Sequence, residues 1–348
     1  MNEELSAPKI TLINNPLTSS KRYGRYLEEF KGLLKDRWEF ISVTTEHRRV
    51  AIQVKGLCEN GFNRIIVAGG DGTIMESVNG IISSGKDSVL GVIPQGTGND
   101  LARAIGFYKM FKEDPSRYLN GLAKKMAEPG SMTCRILLLK TSPPLEEMGH
   151  PLHPSHQIFF TNYLGIGFDA KVVREFHRRR PLTAYTPDIP FMKMEWRFCN
   201  RLIYLFCIIG NLFYKIRAGI EILYTTQHGE RREMSVKDIK NILLLNIPSY
   251  AGGTLNQKEI DCNGDNFQLI IVKSIWEFLY LILKDRMPAI ALKILPEPEI
   301  HTIKEIQINF SEGLKNYIQI DGEDYTCLTD RLKQITLKNA VRIRVFNI

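Results

Sequence analysis

Two glycine-rich segments, Gly69-Gly70-Asp71-Gly72-Thr73 and Pro94-Gln95-Gly96-Thr97-Gly98-Asn99-Asp100, carry residue types suited to holding phosphate. Glycine lets a backbone approach an anion closely and adopt positive φ. A helix starting behind such a loop adds free N–H groups and the positive end of its dipole. Asp71 and Asp100 add carboxylates able to hold magnesium or to orient loop amides. Taken alone, the first segment is also compatible with a tight strand-to-helix turn in which Asp71 or Thr73 is the N-cap, and Asp100 fits best as an N-cap. Its spacing is not that of a Rossmann fingerprint, and no lysine follows as in a Walker loop. Two such loops in succession could hold a triphosphate between them. Gly69, Gly70, Asp71, Gly72, Thr73, Gly96, Thr97, Gly98 and Asn99 are therefore candidates for nucleotide contact, and Asp71 is a candidate metal ligand.

The elements that must position these loops alternate. Lys9 to Asn14, Glu39 to Val43, Arg64 to Ala68 and Val89 to Ile93 read as strands. Tyr23 to Leu34, Val50 to Asn60 and Thr73 to Ser83 have helical spacing, and Leu101 to Ile105 begins another helix. This alternation predicts a doubly wound α/β nucleotide-binding domain, with ligands at the carboxyl ends of its strands, where both loops fall. After Pro129-Gly130 the pattern changes to short runs such as Ile136 to Leu139, Ile158 to Asn162, Ile220 to Tyr224, Ile242 to Ile247, Phe267 to Lys273, Glu305 to Phe310 and Tyr317 to Ile320. They predict a mainly β second domain of antiparallel pairs, interrupted by apolar helices over Phe191 to Tyr214 and Ile275 to Leu292. The expected division is 1–130 and 131–330, with 331–348 able to return to the first domain.

Composition narrows the partners. The 348 residues are 44% hydrophobic and 24% charged, ordinary values for a globular chain. The acidic start Met1-Asn2-Glu3-Glu4-Leu5 argues against a secretory signal, and the most apolar stretch, Leu202 to Tyr214, is too short to span a bilayer. Six scattered cysteines without a C-x-x-C pair indicate reduced thiols in a cytoplasmic setting. A net charge of +8 favours anionic partners, and no nucleic-acid-binding motif is present. Oligomeric state is not readable.

The segments Ile65 to Asn79 and Leu90 to Gly106 (L-G-V-I-P-Q-G-T-G-N-D-L-A-R-A-I-G) resemble the diacylglycerol kinase catalytic-domain family, which includes sphingosine kinases and bacterial lipid kinases. Phe160 to Ala170, Glu175-Phe176-His177, Asn246 to Gly253 and Ile320-Asp321-Gly322-Glu323 extend the resemblance through the second half. It implies a two-domain fold whose cleft binds ATP with magnesium and a lipid hydroxyl. It adds Asn15, Thr45 and Glu76 to the nucleotide contacts, with Lys21 reaching a phosphate from a first loop that lacks the family's usual glycine. It implies that the proton acceptor comes from Asp321 or Glu323, with Glu323 favoured, and that Asp71 belongs to the catalytic set. From sequence alone, Asp321-Gly322 is better read as a hairpin turn. The resemblance further implies a structural magnesium loop at Asn263-Gly264-Asp265, where an asparagine replaces the usual aspartate, and Cys134 stands where an aspartate is common.

A membrane lipid acceptor requires docking on a peripheral anionic membrane surface. Arg174, His177, Arg178, Arg179 and Arg180 precede the apolar residues Trp196, Phe198, Leu202, Ile203, Leu205 and Phe206, and a second apolar run spans Trp276 to Ile282. Both runs are also compatible with core helices. The expected activity is phosphorylation of diacylglycerol to phosphatidic acid. Phosphorylation of a sphingoid base or another lipid alcohol, a soluble NAD-kinase-like reaction, and lipid binding without turnover are the alternatives.

Overall fold

An apolar run without alternation, such as Ile65-Ile66-Val67-Ala68, is stable only where both faces of a strand are covered. The computed structural model, which describes residues 8–16, 21–46, 49–127, 131–142, 157–184, 196–311, 317–326 and 332–348, buries all four completely. The first half runs β1 (Lys9–Asn14), α1 (Lys21–Lys35), β2 (Glu39–Thr44), α2 (Val50–Glu59), β3 (Phe62–Gly69), α3 (Asp71–Ser84) and β4 (Val89–Pro94). Three further helices follow, α4 (Asp100–Ala104), α5 (Phe107–Glu113) and α6 (Pro115–Lys125). The strands lie in the order β4-β3-β1-β2, all parallel. Their carboxyl ends are Pro94, Gly69, Asn14 and Thr44, so the loops that follow them share one edge.

The second half opens with β5 (Ser131–Ser142), β6 (Gln157–Phe160), β7 (Tyr163–Gly167) and two helices, α7 (Phe168–Ala184) and α8 (Trp196–Gly210). Then come β8 (Ile220–Thr226), β9 (Arg231–Val236), β10 (Asn241–Leu245), the short strands β11 (Ser249–Tyr250) and β12 (Leu255–Asn256), and β13 (Phe267–Val272). The chain continues with α9 (Ile275–Leu283), α10 (Ala289–Leu292), β14 (Glu299–Phe310), β15 (Ile318–Ile320), β16 (Glu323–Asp324) and β17 (Gln334–Phe346). Pairing within this half is antiparallel. β17 pairs with β14 through Gln334–Lys338, runs antiparallel along β5, and meets β4 in parallel at Arg344 and Val345. One 15-stranded sheet therefore passes through the whole chain, with β11 and β12 as a separate ribbon.

Several elements depart from the sequence reading. β7 escapes it because Tyr163-Leu164-Gly165-Ile166-Gly167 is buried on both faces and its glycines resemble a loop. β9 and β17 are masked by charged residues on their solvent sides. The expected helix over Ile275 to Leu292 is two helices, because Pro288 supplies the N-cap position of α10 and cannot continue α9. The expected helix over Phe191 to Tyr214 is described from Trp196, and 185–195 lie outside the described residues.

Within the second half, a buried arginine ties β5 to the segments around Asn246 and Gly264. Arg135, on β5, donates through Nε to Asn246 Oδ1 at 2.6 Å and through Nη2 to the Asn246 carbonyl at 2.7 Å. Its Nη1 reaches the Gly264 carbonyl at 2.7 Å, and Asn246 Nδ2 returns bonds to the carbonyls of Arg135 and Thr161. Replacing this guanidinium strands several carbonyls in a dry region, at about 1–3 kcal/mol each. Arg135→Met should therefore lower the denaturation midpoint strongly in urea titrations, whereas Arg25→Met, in an exposed pair, should leave it in place.

Candidate active site

The two glycine loops meet backbone to backbone. Gln95 N donates to the Gly69 carbonyl at 3.0 Å, and a Cβ placed on Gly96 would run into the Gly70 Cα. Only glycine permits that approach. Gly70, not Asp71 or Thr73, is the N-cap of α3, and its side of the loop leaves the first N–H groups of the helix facing the edge. Asn15 Nδ2 donates to Thr73 Oγ1 at 2.8 Å, which fixes the end of β1 against α3. The second loop is closed by Asn99, at φ 54°, whose side chain bonds both the N–H and the carbonyl of Gly96 at 2.8 and 2.7 Å. Thr97 at the tip of this loop is exposed, and Thr45 sits half-buried just beyond β2 on the same edge. Lys21 opens α1 next to 17–20, which, like its side chain, lie outside the described residues.

Three carboxylates stand behind the loops, Asp100 and Asp321 buried and Asp71 half-buried. Asp100 does not cap α4; the N-cap there is Asn99. Its oxygens instead accept from Ser249 Oγ at 2.6 Å, the N–H groups of Gly252 and Gly253, and Tyr163 Oη at 3.3 Å. Asp71 Oδ1 accepts from Asn162 Nδ2 at 3.0 Å and Leu101 N at 3.3 Å. Burial, reinforced by the charge of Asp100, pushes the Asp71 carboxyl up to about 7. Asp321 accepts from Thr161 N and Oγ1 and from the N–H groups of Asn162 and Tyr163, at 2.8 to 2.9 Å. Burial raises it to about 6, against the pull of those donors.

Asp321 and Glu323 thus differ in surroundings. Asp321 and Gly322 both have positive φ, 49° and 84°, in the two-residue turn joining β15 to β16. The turn read from sequence and the acidic element implied by resemblance are therefore the same feature. Asp321 is enclosed and its oxygens are committed to backbone. Glu323, one strand position on, is 49% exposed at its side chain, and a Cβ on Gly72 would lie 2.6 Å from its Oε1. His177 on α7 places Nδ1 3.7 Å from Glu323 Oε2. Glu76, expected to contact nucleotide, is raised by burial and by the Glu323 charge, and the backbone N–H groups of Val50 and Ala51 at the start of α2 oppose that rise.

Residues 9–132 match the family model for the diacylglycerol kinase catalytic domain, and residues 159–324 match that for the diacylglycerol kinase accessory domain. The chain belongs to the diacylglycerol kinase family. It is 27% identical over 262 residues to diacylglycerol kinase iota of Mus musculus, covering 72% of this chain and 23% of the relative. The chain thus spans about a quarter of the length of that curated relative. It is 28% identical over 251 residues to the putative lipid kinase YtlR of Bacillus subtilis (strain 168), covering 70% of each. The fold is shared with the crystal structure of a putative diacylglycerol kinase from Bacillus anthracis str. Sterne, at TM-score 0.63 and 16% identity, over 100% of this chain and 98% of the other.

The loop expected to hold structural magnesium is closed by protein groups. Asn263 Oδ1 accepts from Thr133 Oγ1 at 2.8 Å, and Asp265 Oδ1 is paired with Arg342 Nη2 at 2.6 Å. Arg342 Nη1 also donates to the Asn263 carbonyl, and Asn339 Nδ2 to the Asp265 carbonyl at 2.6 Å. A hard dication needs such oxygens turned onto a shared centre. Here a guanidinium and two neutral donors hold them, so these residues do not fit the metal. Among the described residues, no group of three or more His, Cys, Asp or Glu is placed to hold an ion.

The residues that sequence reading left without roles are Asn162, Tyr163, Ser249, Gly252, Gly253 and Arg135. Their motifs, F-T-N-Y and N-I-P-S-Y-A-G-G, were visible, but nothing local shows that they serve carboxylates far away in the chain.

Two outcomes follow from these electrostatics. A carboxyl raised in the folded state holds a proton that the unfolded chain has released, so the folded protein loses stability as pH rises through that window. The melting temperature of the nucleotide-free protein should fall between about pH 4 and about pH 7, and Asp71→Asn should flatten the fall. At constant pH, a chelator should leave the melting temperature unchanged, while Arg342→Ala should lower it without rescue by added magnesium.

Proposed function

We propose that this chain is an ATP-dependent lipid kinase that transfers the γ-phosphoryl group of ATP to the hydroxyl of diacylglycerol, giving phosphatidic acid and ADP, at the surface of an anionic membrane. One observation carries the reading: Glu323, the exposed carboxylate of the late acidic turn, stands directly against Gly72 in the phosphate loop. An acceptor hydroxyl bound beside Glu323 would lie next to a phosphate held by Gly69 to Thr73. The relatives named diacylglycerol kinase support diacylglycerol as the acceptor.

In this mechanism, the amides of Gly70, Gly72 and Thr73 and the start of α3 bind phosphate oxygens, and Gly96 to Asn99 close over them. Gln95 Oε1 and Asn14 Oδ1 are buried with no partner among the described residues, and both residues lie at the carboxyl ends of parallel strands, where such acceptors would suit hydroxyl or amino donors of a nucleotide. Asp71 is the carboxylate that would hold magnesium arriving with ATP, since it is half-buried at the phosphate-loop end of α3 and no cation among the described residues pairs with it. When bound, that ion neutralises phosphate charge. The acceptor oxygen attacks the γ-phosphorus, the bond to the β-bridging oxygen breaks, and Glu323 takes the hydroxyl proton. Asp321 acts as a positioning residue, because its four accepted bonds fix Thr161, Asn162 and Tyr163. The proposed division is a nucleotide-binding unit over 1–130 and a lipid-side unit over 131–330.

With radiolabelled ATP and mixed micelles presenting a lipid panel, label should enter phosphatidic acid. Glu323→Gln should reduce kcat by about 10²- to 10⁴-fold while nucleotide affinity is kept. Transfer only to a sphingoid base or to NAD, or none to any alcohol, would contradict the proposal.

A further inference from the structure

α8 carries two opposite faces of the same chemistry. Ile203, Tyr204, Cys207 and Ile208 pack inward with Phe168, Val172 and Phe176 of α7. Leu205, Phe206, Ile209 and Phe213 point away from that contact and are exposed, Phe206 at 64% and Phe213 at 98%. At 3.6 residues per turn Leu205, Phe206 and Ile209 fall in one stripe about 100° wide, and Phe213 follows in the turn beyond the end of α8 at Gly210. The first segment expected from sequence to be either core or membrane contact is divided by face: over 202–210 one face packs into the core and the other is exposed, while the side chains of 196–201 lie outside the described residues. The cost of leaving such a stripe in water is large enough that exposed patches of this kind mark binding surfaces.

The exposure is built into the fold. Lys240, 1% exposed, donates from Nζ to the carbonyls of Leu212 at 2.6 Å and Tyr214 at 3.2 Å, on either side of Phe213. Asn211 Nδ2 ties back to the Cys207 carbonyl at 2.8 Å, and the Tyr214 ring packs edge-on against Tyr317 with centroids 5.4 Å apart. The backbone is thus held on both sides of the most exposed phenylalanine. Lys215 and Arg217, both exposed, follow immediately. No described helix is long and apolar enough to cross a membrane, so the stripe suits a helix lying on a surface.

We infer that the α8 stripe of Leu205, Phe206 and Ile209, with Phe213 in the turn after it and with Lys215 and Arg217, docks the protein on an anionic lipid bilayer. This deepens the lipid-kinase reading and rests on it for one argument, continuity with the site. Phe176 packs against Tyr204 of α8 at 5.5 Å, and the next residue, His177, lies beside Glu323. One helix pair therefore joins the docking face to the proposed acceptor carboxylate. Apolar side chains enter the acyl boundary, and the basic residues meet lipid phosphates, which sets the choice of an anionic surface over an apolar protein partner.

The test is sedimentation with vesicles of phosphatidylcholine, with or without phosphatidylglycerol, using the full chain. Wild type should bind the anionic vesicles and lose binding as salt rises. Phe206→Glu/Phe213→Glu should weaken binding by about tenfold or more, with an unchanged melting temperature. Lys215→Glu/Arg217→Glu should weaken binding to anionic vesicles only. Asp71→Asn, which disables the proposed donor site, should still bind, so a failed kinase reading is distinguishable from a failed docking surface. Unchanged vesicle binding by the phenylalanine variant would overturn the inference. So would a wild-type dimer in size exclusion that this variant converts to monomer without altering vesicle binding, because the stripe would then be a contact between copies.

Discussion

Carboxylates, Asp100 and Asp321 buried and Asp71 half-buried, that accept hydrogen bonds from distant parts of the chain are the constraint on which the site depends. Asp100 takes the amides of Gly252 and Gly253 and the hydroxyl of Ser249, Asp71 takes the Asn162 side chain, and Asp321 takes three consecutive backbone positions from Thr161 to Tyr163. Each bond crosses between the parallel strands carrying the glycine loops and the antiparallel strands beyond them, or fixes the segment that does. A buried carboxylate without donors would be strongly unfavourable, so these contacts are all-or-none in character. They set where the glycine loops stand relative to Glu323.

The same arrangement explains why two acidic residues separated by one glycine have different surroundings. In a two-residue turn both central residues adopt positive φ, and the next residue begins the returning strand. Asp321 is the turn residue that points inward and is consumed by amides. Glu323, on the return, faces Gly72 and His177. Burial raises the carboxyls of both Asp71 and Asp321, and at Asp71 the charge of Asp100 adds to the rise.

Much of the first half was legible because its signals are local. Unalternated apolar runs gave the parallel strands, and glycine after a strand gave the loops at their carboxyl ends. Gly70 and Gly96 could be marked as special, although their mutual contact could not, since it joins segments folded against each other through the sheet. β7 was missed because full burial removes alternation, and β17 because its long pairing with β5 tolerates charge on one side. The magnesium loop shows the converse. Asn263 in place of an acidic residue was readable, but Arg342, 77 residues from Asp265, is recognisable as the cation at that loop only in three dimensions.

In the proposed mechanism both glycine loops and the Asp321–Glu323 turn line one nucleotide-and-acceptor cleft. Hydrogen–deuterium exchange of backbone amides, with and without a non-hydrolysable ATP analogue and magnesium, tests it most directly. Protection should be added over 69–76 and 95–101 together, with a smaller change over 161–163 transmitted through Asp71 and Asp321. Protection of only one loop, or of neither while the analogue is bound, would contradict it.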